Sequence, residues 1–218
     1  MCTAENVNRS ARMMPFPKRE RPCSRACGVK AIGSDEFGRA KIDNEKLCIL
    51  RYVYGSAVLL GAISDKSQIY QLARSLKEGN EIIAEIAPAF VGQFGSMEPK
   101  DVHAALETLG FSEVYEVALG ADIGAVSEAR HYAEKVATGE LPFLLTSCCP
   151  SWSMLAKKYF PTMIDNISQE LTPMVATARS IKQEHPNAKV VFIGPCAAKK
   201  LEASRRSVRS DVDFVITF

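Results

Sequence analysis

The residues best able to do chemistry in this 218-residue chain are its seven cysteines. The N-terminal residues lack the apolar core of a secretory signal, and an odd number of cysteines in such a chain argues against a framework of disulfides. Thiolates select zinc, Cu(I) or iron–sulfur clusters, whereas a buried cysteine without a ligand acts as a small apolar side chain. The cysteines are Cys2, Cys23, Cys27, Cys48, Cys148, Cys149 and Cys196.

The adjacent pair Cys148 and Cys149 favours an iron–sulfur cluster over a structural zinc site. Zinc sites usually use two C-x2-4-C pairs, and neighbouring side chains of an extended peptide point in opposite directions. One thiol of the pair can therefore bind a cluster while the other stays free. A cysteine nucleophile would need a histidine partner, and the chain offers only His103, His131 and His185. The interpretation as a cysteine hydrolase is therefore the weaker one.

An α/β fold has to position these cysteines, with a mostly parallel sheet covered by helices on both faces. Short apolar runs alternate with helical patterns after residue 68. The predicted strands are 82–87, 114–119, 143–145 and 189–193, and the predicted helices are 68–76, 99–109, 123–136, 151–159 and 173–183. Ligands of parallel sheets bind at the carboxyl ends of the strands. One shared site is therefore predicted where three peptides follow strand ends: 87–89, 148–150 and 195–196.

The composition changes near residue 68, so we divide the chain into segments 1–68 and 69–218. The first segment has short stretches punctuated by glycine and contains four of the cysteines. Within it, residues 34–39 are typical of a hairpin turn, and residues 40–42 of the returning strand.

The overall composition excludes several classes of protein. Hydrophobic residues make up 47% of the chain, enough to bury a core. The formal charge of +2 gives no argument for nucleic-acid binding. No run of about eighteen apolar residues occurs, so we expect no membrane span, and we expect a cytoplasmic protein.

Two peptides around these cysteines resemble active-site motifs of the [FeFe]-hydrogenases. Residues 146–152, TSCCPSW, look like the first motif, TSCCPxW, and residues 194–202, GPCAAKKLE, resemble the second, PCxxKKxE. Residues 86–95 are similar to the family's APxxR-like strand end, and residues 210–217 to its DxDxVIT strand. On these residues the chain is identified as a member of the monomeric, ferredoxin-linked type of this family.

The resemblance implies a cubane [4Fe–4S] cluster that one cysteine bridges to a two-iron subsite with CO and cyanide ligands. That centre interconverts protons, electrons and H2. Cys149 and Cys196 would be cubane ligands, and Cys148 would be the thiol that passes protons to the two-iron subsite. Lys199 would reach a cyanide ligand, for which a cationic donor is suited.

Further positions take roles from the same resemblance. Pro88 and Ala89 would help to enclose the two-iron subsite, although many relatives have Ser at position 89 and Met at position 194. Glu128 and Ser168 align with the family's proton-path Glu and Ser. A carboxyl near a thiol can relay protons, so Glu128 is a relay candidate, and the alternative is an ordinary carboxylate on a helix surface.

The first segment looks like a degenerate ferredoxin-type region. Residues 21–32 resemble part of it, with Cys23 and Cys27 as iron ligands. The motif KCxxCGxCxxxCPFGAI would follow at residues 46–63, where Cys48 is the one cysteine present and a further candidate iron ligand. A local frameshift in residues 47–60 is one hypothesis, and ordinary loss of a cluster is the alternative. In both cases we do not expect the segment to hold two ferredoxin clusters.

The family's third motif, ExxxCxxGCxxGGG, supplies two further cluster cysteines and does not occur in these residues. Because a cubane needs four thiolates, we expect a fragment of a hydrogenase. The resemblance implies reversible reduction of protons to H2, a ferredoxin or similar electron carrier as partner, and hydrogenase maturation proteins. The alternative is a non-catalytic relative, a redox sensor or a cluster-assembly factor. A relative without a two-iron subsite has no evident need of Cys148 or Lys199, whereas a sensory hydrogenase can retain both.

Overall fold

The computed structural model describes residues 24, 25, 27, 30–43, 67–205 and 211–218. These residues belong to two compact units, one with the described residues up to 43 and one with those from 67 onward. Cys23, Cys48 and the degenerate motif at 46–63 lie outside the described residues.

The first unit contains an antiparallel hairpin of β1 (Ile32–Ser34) and β2 (Ala40–Ile42). Asp35 stabilises the turn, because its Oδ1 accepts hydrogen bonds from the backbone N–H groups of Phe37 at 3.0 Å and Arg39 at 2.7 Å. Aspartate favours turns for this reason. The hairpin predicted from residues 34–42 is confirmed.

The second unit is built on a four-stranded parallel sheet with the strand order β4-β3-β5-β6. The strands are β3 (Ile82–Ile86), β4 (Glu113–Glu116), β5 (Lys189–Gly194) and β6 (Phe214–Thr217). The two central strands, β3 and β5, are buried along nearly their whole length, as expected for parallel strands covered on both faces. The predicted strands 82–87 and 189–193 are confirmed.

Helices cover both faces of this sheet, which confirms the predicted fold class. They are α1 (Ile69–Lys77), α2 (Pro99–Thr108), α3 (Val117–Lys135), α4 (Pro150–Tyr159), α5 (Pro173–Glu184) and α6 (Ala198–Ala203), with short 3-10 helices at Pro88–Phe90 and Pro161–Asn166. Leu72 of α1 and Val102 of α2 pack in one apolar cluster, and Met174 and Ile181 of α5 pack in the other. Among the described helices, none combines the length and apolar character needed to cross a membrane.

The predicted strand 114–119 is wrong in its second half, because α3 begins at Val117. An apolar run of this length does not distinguish a strand from a buried helix. The helix is fixed by its contact with α5, where a Cβ on Gly120 would lie only 2.4 Å from the carbonyl oxygen of Pro173. This approach depends on residues about fifty positions apart, so the local sequence does not reveal it.

The predicted strand 143–145 is also wrong. Leu145 makes an isolated parallel bridge with Ile167 and does not join the sheet, and Phe143 is 40% exposed. Pro142 immediately precedes this peptide and has no backbone N–H to donate. The peptide that leads into the cysteine pair is therefore held beside the sheet and not within it.

Candidate iron–sulfur site

Two of the predicted peptides meet at the carboxyl edge of the sheet. Because β3 and β5 are adjacent and parallel, the turn after Ala87 lies next to the turn that contains Cys196. The backbone N–H of Ala87 donates to the carbonyl oxygen of Ile193 at 2.8 Å. A Cβ on Gly194 would lie 2.9 Å from the Cβ of Ala87 and 2.6 Å from the ring of Phe192. Glycine at position 194 therefore permits the close approach of these two turns.

The peptide that carries the cysteine pair is not a strand of the sheet. A hydrogen bond from the side chain of Lys199 connects it to this edge. The ammonium Nζ of Lys199, on α6, donates to the backbone carbonyl oxygen of Cys148 at 3.4 Å. Helix α4, which begins directly after Cys149, packs against α6. The structure thus joins the peptide 146–152 to the peptide 194–202.

All three thiols of these two peptides are free. Cys148 is exposed, whereas Cys149 and Cys196 are partly buried. Cys149 is the N-cap residue of α4. Its carbonyl oxygen accepts two hydrogen bonds from Ser153, one from the backbone N–H at 3.0 Å and one from the hydroxyl Oγ at 3.1 Å. The positive end of a helix dipole favours an anion such as a thiolate.

Lys199 forms a buried ion pair with Glu202, a residue to which the sequence analysis gave no role. Nζ of Lys199 lies 2.7 Å from Oε2 of Glu202, and the side chains are 10% and 5% exposed. In the sequence, this ion pair is indicated by the spacing of three residues between a lysine and a glutamate on one helix. Because a buried charge is stable only when it is paired, Glu202 holds the ammonium of Lys199 in place near the cysteine pair.

Ser168 is buried and lies beside the bridge made by Leu145. Its N–H donates to the carbonyl oxygen of Leu145 at 2.8 Å, and its Oγ accepts from the N–H of Glu170 at 3.3 Å. Ser168 also lines a cavity of about 250 Å³, together with Ser147 and Glu202. The structure therefore places Ser168 next to the peptide that carries the cysteine pair.

The remaining predicted residues lie as follows. Pro88 and Ala89 begin the 3-10 helix after β3 and are exposed at the edge of the sheet. Glu128 is half-buried on α3, and the hydrogen bonds of the described residues do not link it to Cys148. Cys27 belongs to the first unit, where its buried Sγ accepts a hydrogen bond from the N–H of Ala31 at 3.3 Å.

The described thiols alone do not complete a cluster site. Cys149 and Cys196 offer two free cysteine side chains, and a cubane needs four cysteine ligands. Among the described residues, no group of three or more His, Cys, Asp and Glu side chains is arranged to hold a metal ion. Thiol side chains are the donor type that iron–sulfur clusters use.

Glu85 is a second residue that sequence reasoning missed. It lies in the middle of β3, is 0% exposed, and neither of its carboxyl oxygens has a hydrogen-bond partner in the structure. Burial raises the pKa of Glu85 well above its ordinary value, while the positive charge of Lys199 lowers this pKa and the negative charge of Glu202 raises it. In the sequence, the unusual position of Glu85 is indicated by its being the one acid within the apolar run IIAEIA.

Comparison with known proteins identifies the family of this chain. Residues 80–218 match the family model described as "Iron only hydrogenase large subunit, C-terminal domain". The chain therefore belongs to the iron-only hydrogenase large-subunit family. This confirms the family that the motifs at 146–152 and 194–202 indicate.

The similar proteins include enzymes and an assembly factor. The chain is 29% identical to iron hydrogenase 1 of Clostridium pasteurianum, over 72% of this chain and 31% of that protein. It is 27% identical to the cytosolic Fe-S cluster assembly factor NAR1 of Meyerozyma guilliermondii, over 62% of this chain and 28% of that protein. The fold resembles apo [FeFe]-hydrogenase HydA1 from Chlamydomonas reinhardtii, with a TM-score of 0.57 and 26% identity, over 70% of this chain and 45% of that one. The chain thus spans about a third of the length of the curated relatives it matches.

Proposed function

We propose that this chain provides part of the iron site of an [FeFe]-hydrogenase, which reversibly reduces protons to H2 with electrons from ferredoxin-type clusters. The observation that carries the proposal is the hydrogen bond from Lys199 to the carbonyl oxygen of Cys148. This bond joins the two cysteine peptides at the edge of the sheet where parallel folds bind ligands.

In this proposal the residues of the chain hold and surround the cofactor. Cys149 and Cys196 supply two thiolates of the cubane [4Fe–4S] cluster, and Lys199 donates to a cyanide ligand of the two-iron subsite. The exposed thiol of Cys148 gives and takes protons. When bound, the two-iron subsite supplies the chemistry of the H–H bond. The exposed turn at Pro88 and Ala89 encloses one side of the subsite.

A proton route is the second part of the proposal. Ser168 is buried, lines the cavity that Ser147 also lines, and has a hydroxyl group that can both donate and accept. Glu128 lies on α3, which packs against the helix α5 that follows Ser168. We propose that Glu128 and Ser168 pass protons toward Cys148.

Replacing Cys149 or Cys196 by serine should sharply lower the iron and acid-labile sulfide that the chain binds. The chain is reconstituted without oxygen with iron and sulfide, and an added monothiol supplies the missing thiolate ligands. The iron and sulfide bound by each variant are then compared with the amounts bound by the unmodified chain. Because both chains keep the other cysteines, binding by those cysteines does not affect the difference. The expected decrease follows because serine oxygen is a poor substitute for a soft thiolate on an iron–sulfur cluster.

Cys148→Ser is the matched control, since it makes the same change one residue before Cys149. This variant should retain the iron and sulfide that Cys149→Ser loses. Equal losses in the Cys148 and Cys149 variants would contradict the assigned ligands. Retention of all iron in Cys149→Ser and Cys196→Ser would show that the cluster is not bound at this edge.

A second candidate function is cluster assembly or redox sensing, which the similarity to NAR1 favours. A protein without a two-iron subsite needs neither the free thiol of Cys148 nor the cation of Lys199. Transfer of a reconstituted cluster from this chain to an apo iron–sulfur protein, equally fast in Cys148→Ser and in the unmodified chain, would support assembly.

The proposed partners are a ferredoxin or similar electron carrier and hydrogenase maturation proteins. A cytoplasmic location stays a prediction.

A further inference from the structure

A cavity of about 250 Å³ lies beside the peptide that carries the cysteine pair. Ser147 and Pro150, the residues on either side of the pair, line this cavity, whereas Cys148 and Cys149 do not. A ligand in the cavity would therefore touch the peptide without touching its thiols. The cavity is a candidate site of its own, separate from the proposed cluster ligands.

Basic side chains from three separate parts of the chain line this cavity. Lys157 lies in the last turn of α4, Arg179 lies on α5, and Arg205 follows α6. Arg179 already pairs with Asp211 at 3.0 Å. In the part of the chain that the structure describes, neither Lys157 nor Arg205 forms an ion pair. Two cations of the cavity are thus available to a charged ligand.

Two carboxylates line the cavity as well, and one of them has a counter-charge. Glu202 pairs with the ammonium of Lys199 at 2.7 Å. Glu170 forms no ion pair with any described residue. The two available cations therefore face one unpaired carboxylate. This excess of positive charge favours an anion as the occupant.

The start of α5 offers the cavity two further hydrogen-bond donors. Thr172 is the N-cap residue of α5, a position whose side chain usually accepts a hydrogen bond from the first turn. Here it makes no such bond, and its buried Oγ1 has no partner. Val175 also lines the cavity, and the hydrogen bonds of the described residues do not use its backbone N–H. A hydroxyl and a backbone N–H can both donate to the oxygens of an anion.

We propose that this cavity binds a phosphate group, either free phosphate or the phosphate of a small ester. A phosphate group carries close to two negative charges at neutral pH and has several acceptor oxygens. It can therefore accept hydrogen bonds from Thr172 and Val175 while Lys157 and Arg205 balance its charge. A carboxylate has one charge and two oxygens, so it would use fewer of these groups. The proposal does not rest on the hydrogenase function.

Isothermal titration calorimetry of the full 218-residue chain with sodium phosphate tests the proposal, with sodium chloride of equal ionic strength as the reference. We expect saturable binding of phosphate and none of chloride. Lys157→Met and Arg205→Met should each weaken phosphate binding by about two- to fivefold, the effect of an exposed charge pair. Thr172→Val should weaken it by about fivefold, the effect of one hydrogen bond.

Lys158→Met is the matched control for Lys157→Met. Lys158 shares the last turn of α4 but does not line the cavity, so its replacement should leave the affinity for phosphate unchanged. Equal losses in these two variants would overturn the proposal. So would the absence of saturable phosphate binding by the unmodified chain.

Glu170→Gln gives a readout that does not depend on the weakened variants folding well. Removal of this carboxylate should tighten phosphate binding by about two- to fivefold, whereas a variant that only disturbs the fold would weaken it. Weaker or unchanged binding in Glu170→Gln would overturn the proposal.

Titration with glycerol phosphate distinguishes the two sources of the phosphate group. Tighter binding of this ester than of free phosphate would assign the cavity to a phosphate ester, and equal or weaker binding would assign it to free phosphate. None of these titrations uses iron. Failure of the cysteine variants to lose iron would therefore remove the proposed function and leave the phosphate site in place.

Discussion

Replacing Gly120 by alanine should destabilise the second unit by about 3 kcal/mol, as expected for overpacking of a tight contact. Alanine is the better helix former by about 1 kcal/mol, so helix propensity alone predicts the opposite sign. The added Cβ would lie 2.3 Å from Oγ1 of Thr177, 2.4 Å from the carbonyl oxygen of Pro173 and 3.0 Å from the backbone N of Thr177. Because two of these atoms are backbone, α3 has to move away from α5. Denaturant unfolding followed by circular dichroism measures the change.

Gly124→Ala provides the matched control for this prediction. Gly124 lies one turn further along α3, and a Cβ there would meet no atom within 4 Å. This variant should be more stable than the unmodified chain by about 0.5–1 kcal/mol, the ordinary gain from Gly to Ala in a helix. If both variants shift the unfolding midpoint in the same direction and by the same amount, α3 and α5 do not cross at Gly120.

Replacing Lys199 by methionine should cost about 3–5 kcal/mol of unfolding free energy, the usual penalty for removing one partner of a buried ion pair. Methionine keeps the length of the side chain and removes the charge that neutralises Glu202. Denaturant unfolding followed by circular dichroism measures the loss.

Two further variants separate the ion pair from ordinary packing. Lys200→Met makes the same change at the next residue, which is more exposed than Lys199, and should have a much smaller effect. The double variant Lys199→Met with Glu202→Gln should recover most of the loss, because it replaces the pair by two neutral side chains. A double variant that is no more stable than Lys199→Met would show that the charge of Glu202 is not the cause.

The sequence alone predicts the sheet of the second unit well and the path of the cysteine loop poorly. The central strands β3 and β5 are mostly apolar runs, interrupted in β3 by Glu85, and each is followed by a proline, Pro88 or Pro195. The apolar pattern of each strand and its end are therefore visible in the local sequence. The peptide 143–145 has the same composition, but its neighbours decide its place: Leu145 pairs with Ile167 alone. The sequence pattern therefore finds the edge of the sheet, and only the structure shows how the cysteine pair reaches it.

The residues of the candidate site also differ in whether the sequence predicts them. Cys148, Cys149, Cys196 and Lys199 stand in motifs whose residue types indicate their chemistry. Glu85 does not, because its significance comes from burial and from charges on a helix more than one hundred residues later. Electrostatic neighbours of this kind depend on the packing of the whole unit, which no local pattern contains.

The close approach at Gly194 also limits how this chain can exchange residues with its relatives. The space beside Gly194 is occupied by the ring of Phe192 and the methyl group of Ala87. A methionine introduced at position 194 by itself would meet both groups, so a larger side chain there requires compensating changes at positions 87 and 192. Substitutions at these three positions therefore have to be made together.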